Sequence, residues 1–312
     1  MGDGPTGNLR ANISAWYGEA GRRWLAGLPD SVAAYARRWG LKPVGAPFPG
    51  GNISHVVPVR RFDGTASALK LFIPDAENAA EATALHHYDG DGAVRLLEHD
   101  PAGAMLIERA EPGHALVDEP DRVGAVAIAA AILRRLWRVP GTTPPGFADY
   151  PRVPDVTRAW RAGLAASRCL PAALAGRAAA TAGELTVPDG PEGLVNRDPH
   201  LGNFVAAERA PWLLIDPKPL IGERAFDAGW LIARQLADRP DAGTVTELVE
   251  AVADGLCVAR ERAAAWALVR ASATAHWTIA TGDGETAFSR GFRAAAVLLA
   301  DAAASRRDVP HP

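Results

Sequence analysis

Apolar residues recur at helical spacing from about Ile13 to Trp39, through Trp16, Trp24, Leu25, Val32, Ala33 and Tyr35, which predicts one or two helices. Three strand-like segments follow: "LKPVGAPFP" (41–49), "SHVVPVRRF" (54–62) and "SALKLFIP" (67–74). They are punctuated by "GGN" at 50–52 and "DG" at 63–64, a hairpin signal. The Ala-rich stretch 75–88 opens with Asp75 and Glu77, acids placed where a helix N-terminus favours them. "AVRLLEHDPAGAMLIER" (93–109) then reads as two strands joined at Asp100-Pro101. Residues 1–110 are thus expected to hold N-terminal helices and a five-stranded antiparallel sheet with one inserted helix.

The texture changes after "AEPGHALVDEP". Ala-, Leu- and Arg-rich helical patterns cover about 121–138, 152–170, 225–237, 241–256, 259–281 and 285–304. Two stretches interrupt them, "GLVNRDPHLGNFVAAE" and "PWLLIDPKPLIGERAFDAGWL", each a short apolar strand followed by a polar loop. The fold class is α+β, with a second part, 111–312, that is mostly helical.

Composition narrows the function. The 312 residues are 48% hydrophobic and 22% charged, enough for one large domain or two lobes. With 33 Lys plus Arg against 36 Asp plus Glu, the net charge of −3 offers no basic field for nucleic acid or an anionic membrane. Cys169 and Cys257 are far apart and lack Cys or His at ligand spacing, which argues against a disulfide framework or structural zinc. No apolar run approaches the ~18 residues of a membrane span, and the first residues lack an export signal. A cytoplasmic protein is expected; monomer and homodimer both remain open.

Asp198 and Asn203 have the D-x-x-x-x-N spacing of a phosphoryl-transfer loop, in which the Asp orients or deprotonates a hydroxyl and the Asn holds a metal. Turn formation is the competing use of such residues. Asp216, 18 positions further on at the end of "WLLID", supplies a second oxygen ligand suited to Mg²⁺. Lys70 lies in the alternating strand "SALKLF", an A-L-K context like that of the kinase β3 lysine, although an edge-strand lysine is the simpler reading. Glu81 is its candidate ion-pair partner, with Glu77 as the rival. The loop "PGGNISH", with Gly51 and Ser54, can offer backbone N–H groups to phosphates but carries no G-x-G-x-x-G.

In order, Lys70, Glu81, "MLIER", Asp198, Asn203 and Asp216 are the parts of a bilobal kinase. The sequence resembles the aminoglycoside phosphotransferases, in particular the branch of streptomycin 6-kinases and hydroxyurea phosphotransferases. The likeness runs from "ARRWGLKP" through "VVPVRRFDGTASALKL", "GDGAVRLLEHD" and "NRDPHLGN" to "AAERAPWLLIDPKPLIGERAFD", its most specific segment. It implies a protein-kinase-like fold with ATP, or GTP, in the cleft between the lobes, and a small hydroxylated acceptor whose phosphorylation gives resistance. By position, Lys70 would bind the α/β-phosphates and pair with Glu81, and backbone groups from Glu108 to Ala110 would meet the adenine edge. Asp198 would be the catalytic base, Asn203 and Asp216 would hold Mg²⁺, and Asp227 and His200 would support the loop.

Two departures stand out. The family's loop usually begins His-Gly-Asp; here it is Asn196-Arg197-Asp198, which places Arg197 as a candidate cation near the transferring phosphate. This change is the one ground for the alternative of a non-catalytic, regulatory nucleotide-binding protein. The helical stretch 262–282 contains no acid, and Thr278 and Ala280 stand where streptomycin kinases carry acids. A polycation would lack partners there, so a neutral or less basic acceptor such as hydroxyurea or a nucleoside antibiotic is favoured. His276, Trp277 and Asp283 are candidates to line its pocket.

Overall fold

The computed structural model describes residues 9–49, 52–138, 150–282 and 284–307, the side chains of 76–79 and 305–307 excepted. Its chain divides into two compact units, the described residues of Met1–His114 with Val205–Ile215, and those of Ala115–Phe204 with Asp216–Pro312.

The first unit opens with α1 (Leu9–Arg38), bent where Gly18 takes φ 55° and ψ −129°. Only a residue without Cβ reaches that conformation cheaply. Its sheet contains β1 (Leu41–Pro43), β2 (Ser54–Arg61), β3 (Ala66–Phe72), β4 (Leu96–Asp100) and β5 (Ala104–Glu108), in the order β1-β2-β3-β5-β4. All four pairings are antiparallel. One helix, α2 (Ala76–Tyr88), is inserted between β3 and β4. Ile13, Leu25 and Leu28 of α1 pack on Val57, Val59, Leu69, Leu71 and Leu106, because alternation along each strand puts those side chains on one face.

The first strand is shorter than its apolar pattern suggests. Pro43, Pro47 and Pro49 have no N–H to give a ladder, so beyond β1 only isolated bonds remain, such as Val44 N–H to the Pro58 carbonyl. Three short strands missing from the sequence reading as a sheet, β6 (Pro112–Ala115), β8 (Phe204–Ala207) and β9 (Trp212–Leu214), pair in the order β6-β8-β9. Leu214 also accepts from Val94 and donates to the Gly92 carbonyl, both at 3.0 Å. These bonds draw Val205–Ile215 into the first unit, although sequence texture grouped the segment with 111–312.

The second unit has seven helices among the described residues: α3 (Arg122–Leu136), α4 (Val153–Ala165), α5 (Ala172–Glu184), α6 (Phe226–Asp238), α7 (Val245–Leu256), α8 (Arg260–Thr281) and α9 (Ala287–Arg307). Helix α5 escaped the sequence reading because its buried stripe is Leu174 with four alanines, too small to register as an apolar period. Helix α6 is buried on nearly every side and packs against α8 and α9. Between α5 and α6 lie β7 (Glu192–Asn196) and β10 (Pro219–Glu223), an antiparallel pair whose register sets Asn196 opposite Pro219. Phe226, Trp266, Val269, Val195 and Leu220 share one core with Val153. Among the described residues no helix is long and apolar enough to cross a membrane.

Candidate functional site

In the first unit Lys70 sits mid-strand, opposite Val56 of β2 and Met105 of β5. Its ammonium donates to both carboxylate oxygens of Glu81 at 2.7 Å. Both residues are buried, Glu81 completely. A buried carboxylate and ammonium are tolerable only as a hydrogen-bonded pair, so the pair fixes a cation at a defined place on β3. The Glu77 side chain lies outside the described residues, as do Gly51 and Asp283. Ser54, half-buried, opens β2 opposite Phe72.

At the end of β5, Glu108 is heavily engaged. Arg209 clasps its carboxylate in a fork, at 2.9 and 2.8 Å, and the Arg95 N–H adds a bond of 3.0 Å. Burial pushes this carboxyl up, but the bonds from Arg209 and Arg95 outweigh it and hold the group below the usual glutamate range. The Glu108 N–H is also spent, on the Arg95 carbonyl at 2.9 Å. Ala110, two residues on, is half-buried.

In the second unit the end of β7 turns into a braced loop. The buried Asn196 donates its N–H to Asp227 Oδ1 at 2.7 Å. Its side-chain oxygen accepts from the N–H groups of Lys218 at 3.0 Å and Asp198 at 3.2 Å. One carboxamide therefore ties the loop's start to the chain entering β10, while Arg197 N–H reaches the Lys218 carbonyl at 2.8 Å. The far side closes through His200 N–H and Asn203 Nδ2, both donating to the Asp198 carbonyl at 2.9 and 3.1 Å. Asp198 is left half-buried with its backbone held from both directions, and Arg197 is exposed.

Asp227 beneath the loop is fully buried, and its carboxyl is pushed up to about 8 by that burial, against the opposing pull of the Asn196 N–H and Arg224. Asp216 holds a left-handed backbone, φ 51°, a conformation that Asp tolerates better than most side chains. Lys218 places its buried ammonium 3.1 Å from Asp216 Oδ1. Asn203 and Asp216 provide a carboxamide and a carboxylate, both hard oxygen donors.

The remaining sequence candidates fall elsewhere on the helices. His276 Nδ1 is 3.0 Å from the Ser167 hydroxyl, and Trp277 is 62% exposed. Sequence reasoning missed three features. Lys218 was passed over inside "DPKP", where a lone cation in an apolar run was the available signal. Asn196 was taken as a loss relative to His, yet its oxygen gathers two backbone donors. Arg270, the one charge in "AAAWALVRASATA", has its guanidinium 4.8 Å from the Trp160 ring centre and 4.4 Å from that of Trp230. Burial lowers it to about 10, with Arg197 pushing further down and Asp198 pulling back, so it stays charged at neutral pH.

The family model described as aminoglycoside/hydroxyurea antibiotic resistance kinase matches residues 38–282. A hydroxyurea phosphotransferase of Kitasatospora aureofaciens is 40% identical over 291 residues, 90% of this chain and 82% of its own. A streptomycin 6-kinase of Streptomyces griseus is 37% identical over 307 residues, 94% of this chain and 95% of its own. Among solved structures, a choline kinase from Cryptosporidium parvum gives a TM-score of 0.60 at 9% identity, over 90% of this chain and 96% of its own. A macrolide 2'-phosphotransferase from Brachybacterium faecium gives 0.54 at 18%, over 91% and 99%. At such identities these two speak for the fold alone, the bilobal α+β fold of kinase-like phosphotransferases. The sequence relatives reach further: the chain belongs to the aminoglycoside/hydroxyurea antibiotic resistance kinases, nucleotide-using enzymes that phosphorylate small molecules.

Proposed function

We propose that the protein transfers the γ-phosphoryl group of ATP, or GTP, to a hydroxyl of a small antibiotic-like molecule in the cytoplasm and so inactivates it. Asp198 carries the chemistry. Its carboxylate orients the acceptor hydroxyl and takes its proton as the oxygen bonds to the γ-phosphorus and the bond to the β,γ-bridging oxygen breaks. Lys70, steadied by Glu81, holds the α/β-phosphates. Ser54 and its loop neighbour Gly51 lend backbone N–H groups, and the Glu108–Ala110 stretch meets the base. Arg197 adds a cation beside Asp198.

Asn203 and Asp216 fit Mg²⁺. Among the described residues no cluster of three His, Cys, Asp or Glu could cage a metal. Two oxygen donors that leave most of the shell to phosphate and water are what Mg²⁺ accepts. Asn203 gives its Nδ2 to the Asp198 carbonyl, which leaves its Oδ1 as the end for a cation. When bound, the metal neutralises charge on the transferring phosphoryl group.

The observation that supports this reading most is the Asp198 loop, locked at its start by Asn196 and Asp227 and at its end by Asn203. Catalysis by positioning needs that rigidity. The same bracing speaks against the alternative of a non-catalytic binder, whose one ground was the change to Asn196-Arg197 at the start of the loop. The protein, incubated with Mg²⁺ and ATP or GTP against streptomycin, other aminoglycosides, hydroxyurea and nucleoside antibiotics, is expected to yield an acceptor heavier by one phosphoryl group in mass spectrometry. Asp198→Ala is expected to lower transfer by about 10²–10⁴-fold while nucleotide binding persists. Asp216→Ala should weaken Mg²⁺-dependent nucleotide binding as well. Nucleotide binding without transfer to any acceptor would favour the non-catalytic reading.

A further inference from the structure

Lys218 is a charge held with unusual firmness. Pro217 fixes the backbone before it and Pro219 restricts Lys218 itself to an extended conformation, so the side chain leaves the backbone in a set direction. Its N–H donates to Asn196 Oδ1 at 3.0 Å, and its carbonyl accepts from Arg197 N–H at 2.8 Å. The backbone of Lys218 is thus part of the brace around the Asp198 loop. Its side chain serves the other loop: the ammonium lies 3.1 Å from Asp216 Oδ1, with the lysine side chain 6% exposed and that of Asp216 34%.

That asymmetry is informative. An aspartate this open to water needs no lysine to settle it, whereas a buried ammonium carries a desolvation cost that Met or Leu in its place would avoid. The other charges of the loop do not account for the lysine. Arg270 has Arg197 and Asp198 as its charged neighbours, and Asp227, pushed up to about 8, largely keeps its proton at neutral pH. Glu223, at the far end of β10, is bonded to Arg262 and the Trp266 indole. The acid joined to Lys218 in an ion pair is Asp216.

Kinases commonly bring two Mg²⁺ ions to the transferring phosphate, held by the carboxylate that corresponds to Asp216 and by the catalytic-loop Asn. An acid that serves two ions must meet both with its oxygens, and Asp216 already meets an ammonium with Oδ1. We infer that Lys218 stands in for one of these ions, so that the site takes up a single Mg²⁺ per nucleotide. The inference rests on the assignment of Asn203 and Asp216 to Mg²⁺ above. A second dication at Asp216 would face a buried ammonium that water does not screen. Lys218 supplies positive charge that need not be recruited from solution, and the prolines on either side keep it there.

Mn²⁺ substitutes for Mg²⁺ in such oxygen-ligand sites, and its free form is counted by electron paramagnetic resonance. With the whole protein saturated with the imido analogue of ATP or GTP, which is not hydrolysed, the wild type is expected to bind one Mn²⁺ per chain. Lys218→Met should bind two, the second at least on the order of tenfold more tightly than the wild type can. Should Lys218→Met fail to fold, Lys218→Gln, which keeps a polar end without the charge, carries the same expectation. Two ions of similar affinity in the wild type overturn the inference and leave the kinase assignment intact, as does a single ion in a folded, uncharged variant. A wild type that binds the nucleotide analogue without Mn²⁺ removes the assignment of Asn203 and Asp216, and with it the inference. Failure to bind either analogue removes the kinase assignment itself.

Discussion

Asp227 is a carboxyl in the wrong solvent. Its ordinary value is 3.8, and burial carries it to about 8. Between those values the folded chain keeps a proton that the unfolded chain has released. Stability therefore favours the folded state most at the acid end, is lost progressively as pH rises from about 4 to about 8, and is flat beyond. Asp227→Asn keeps an oxygen for the Asn196 N–H and cannot ionise. Thermal melts of the two proteins across this window should show a shallower fall in Tm for the variant; parallel curves would mean that the carboxyl is already charged in the fold. The same residue illustrates what spacing can reveal. "GERAFD" marked an acid near the loop, but its bond to the Asn196 backbone depends on a β7–α6 approach that no local pattern encodes. Spacing likewise put Glu81 forward for Lys70 with Glu77 left as a rival, and it is the hydrogen-bonded, completely buried carboxylate of Glu81 that identifies a paired group. Arg270 lay beyond reach because the two indoles that hold it come from other helices.

At the scale of elements, β7 and β10 meet through two glycines facing each other, Gly193 and Gly222. A Cβ on Gly193 would stand 2.4 Å from the Arg138 carbonyl, and one on Gly222 would stand 2.4 Å from Val153 Cγ2. These close approaches seat the strand pair against the end of α3 and the start of α4, which is how the Asp198 loop gets a fixed base. Gly222→Ala is expected to destabilise by about 1–3 kcal/mol in chemical denaturation, as overpacking does. Gly176 on α5 has open space around the same added atom, so Gly176→Ala should stabilise by about 0.4–1 kcal/mol. The loss at Gly222 tests the packing argument, and the gain at Gly176 shows what the same added atom does where nothing stands in its way. Elements were readable where large apolar residues set the period, as in β2, β3 and α7. They faded where the buried face is alanine, as in α5, or where prolines removed the ladder donors after β1.

Over the whole molecule, each unit has its own apolar core, one built on α1 and the five-stranded sheet and one on Trp266, Phe226 and their neighbours. Damage should stay local. Glu81→Gln removes the carboxylate from the buried Lys70–Glu81 pair, at a cost of about 3–5 kcal/mol. Amide hydrogen exchange is expected to quicken along Ala66–Phe72 while the core of α8 keeps its protection. Loss of protection throughout would show that the units unfold as one. The broad division into a sheet-bearing and a helical part was plain from texture, but the route of the chain was not, since four-residue strands such as β6 and β8 leave almost no periodic trace.

That route constrains how such enzymes can be recombined. Because Val205–Ile215 returns to complete the β6-β8-β9 sheet, a nascent chain released after His114 lacks two strands of its first unit. A chimera cut once at that point would join strands from different parents within one sheet. Grafting an acceptor specificity from a relative is better done with two cassettes, 115–204 and the residues from 216 onward, leaving the returning segment with its native host.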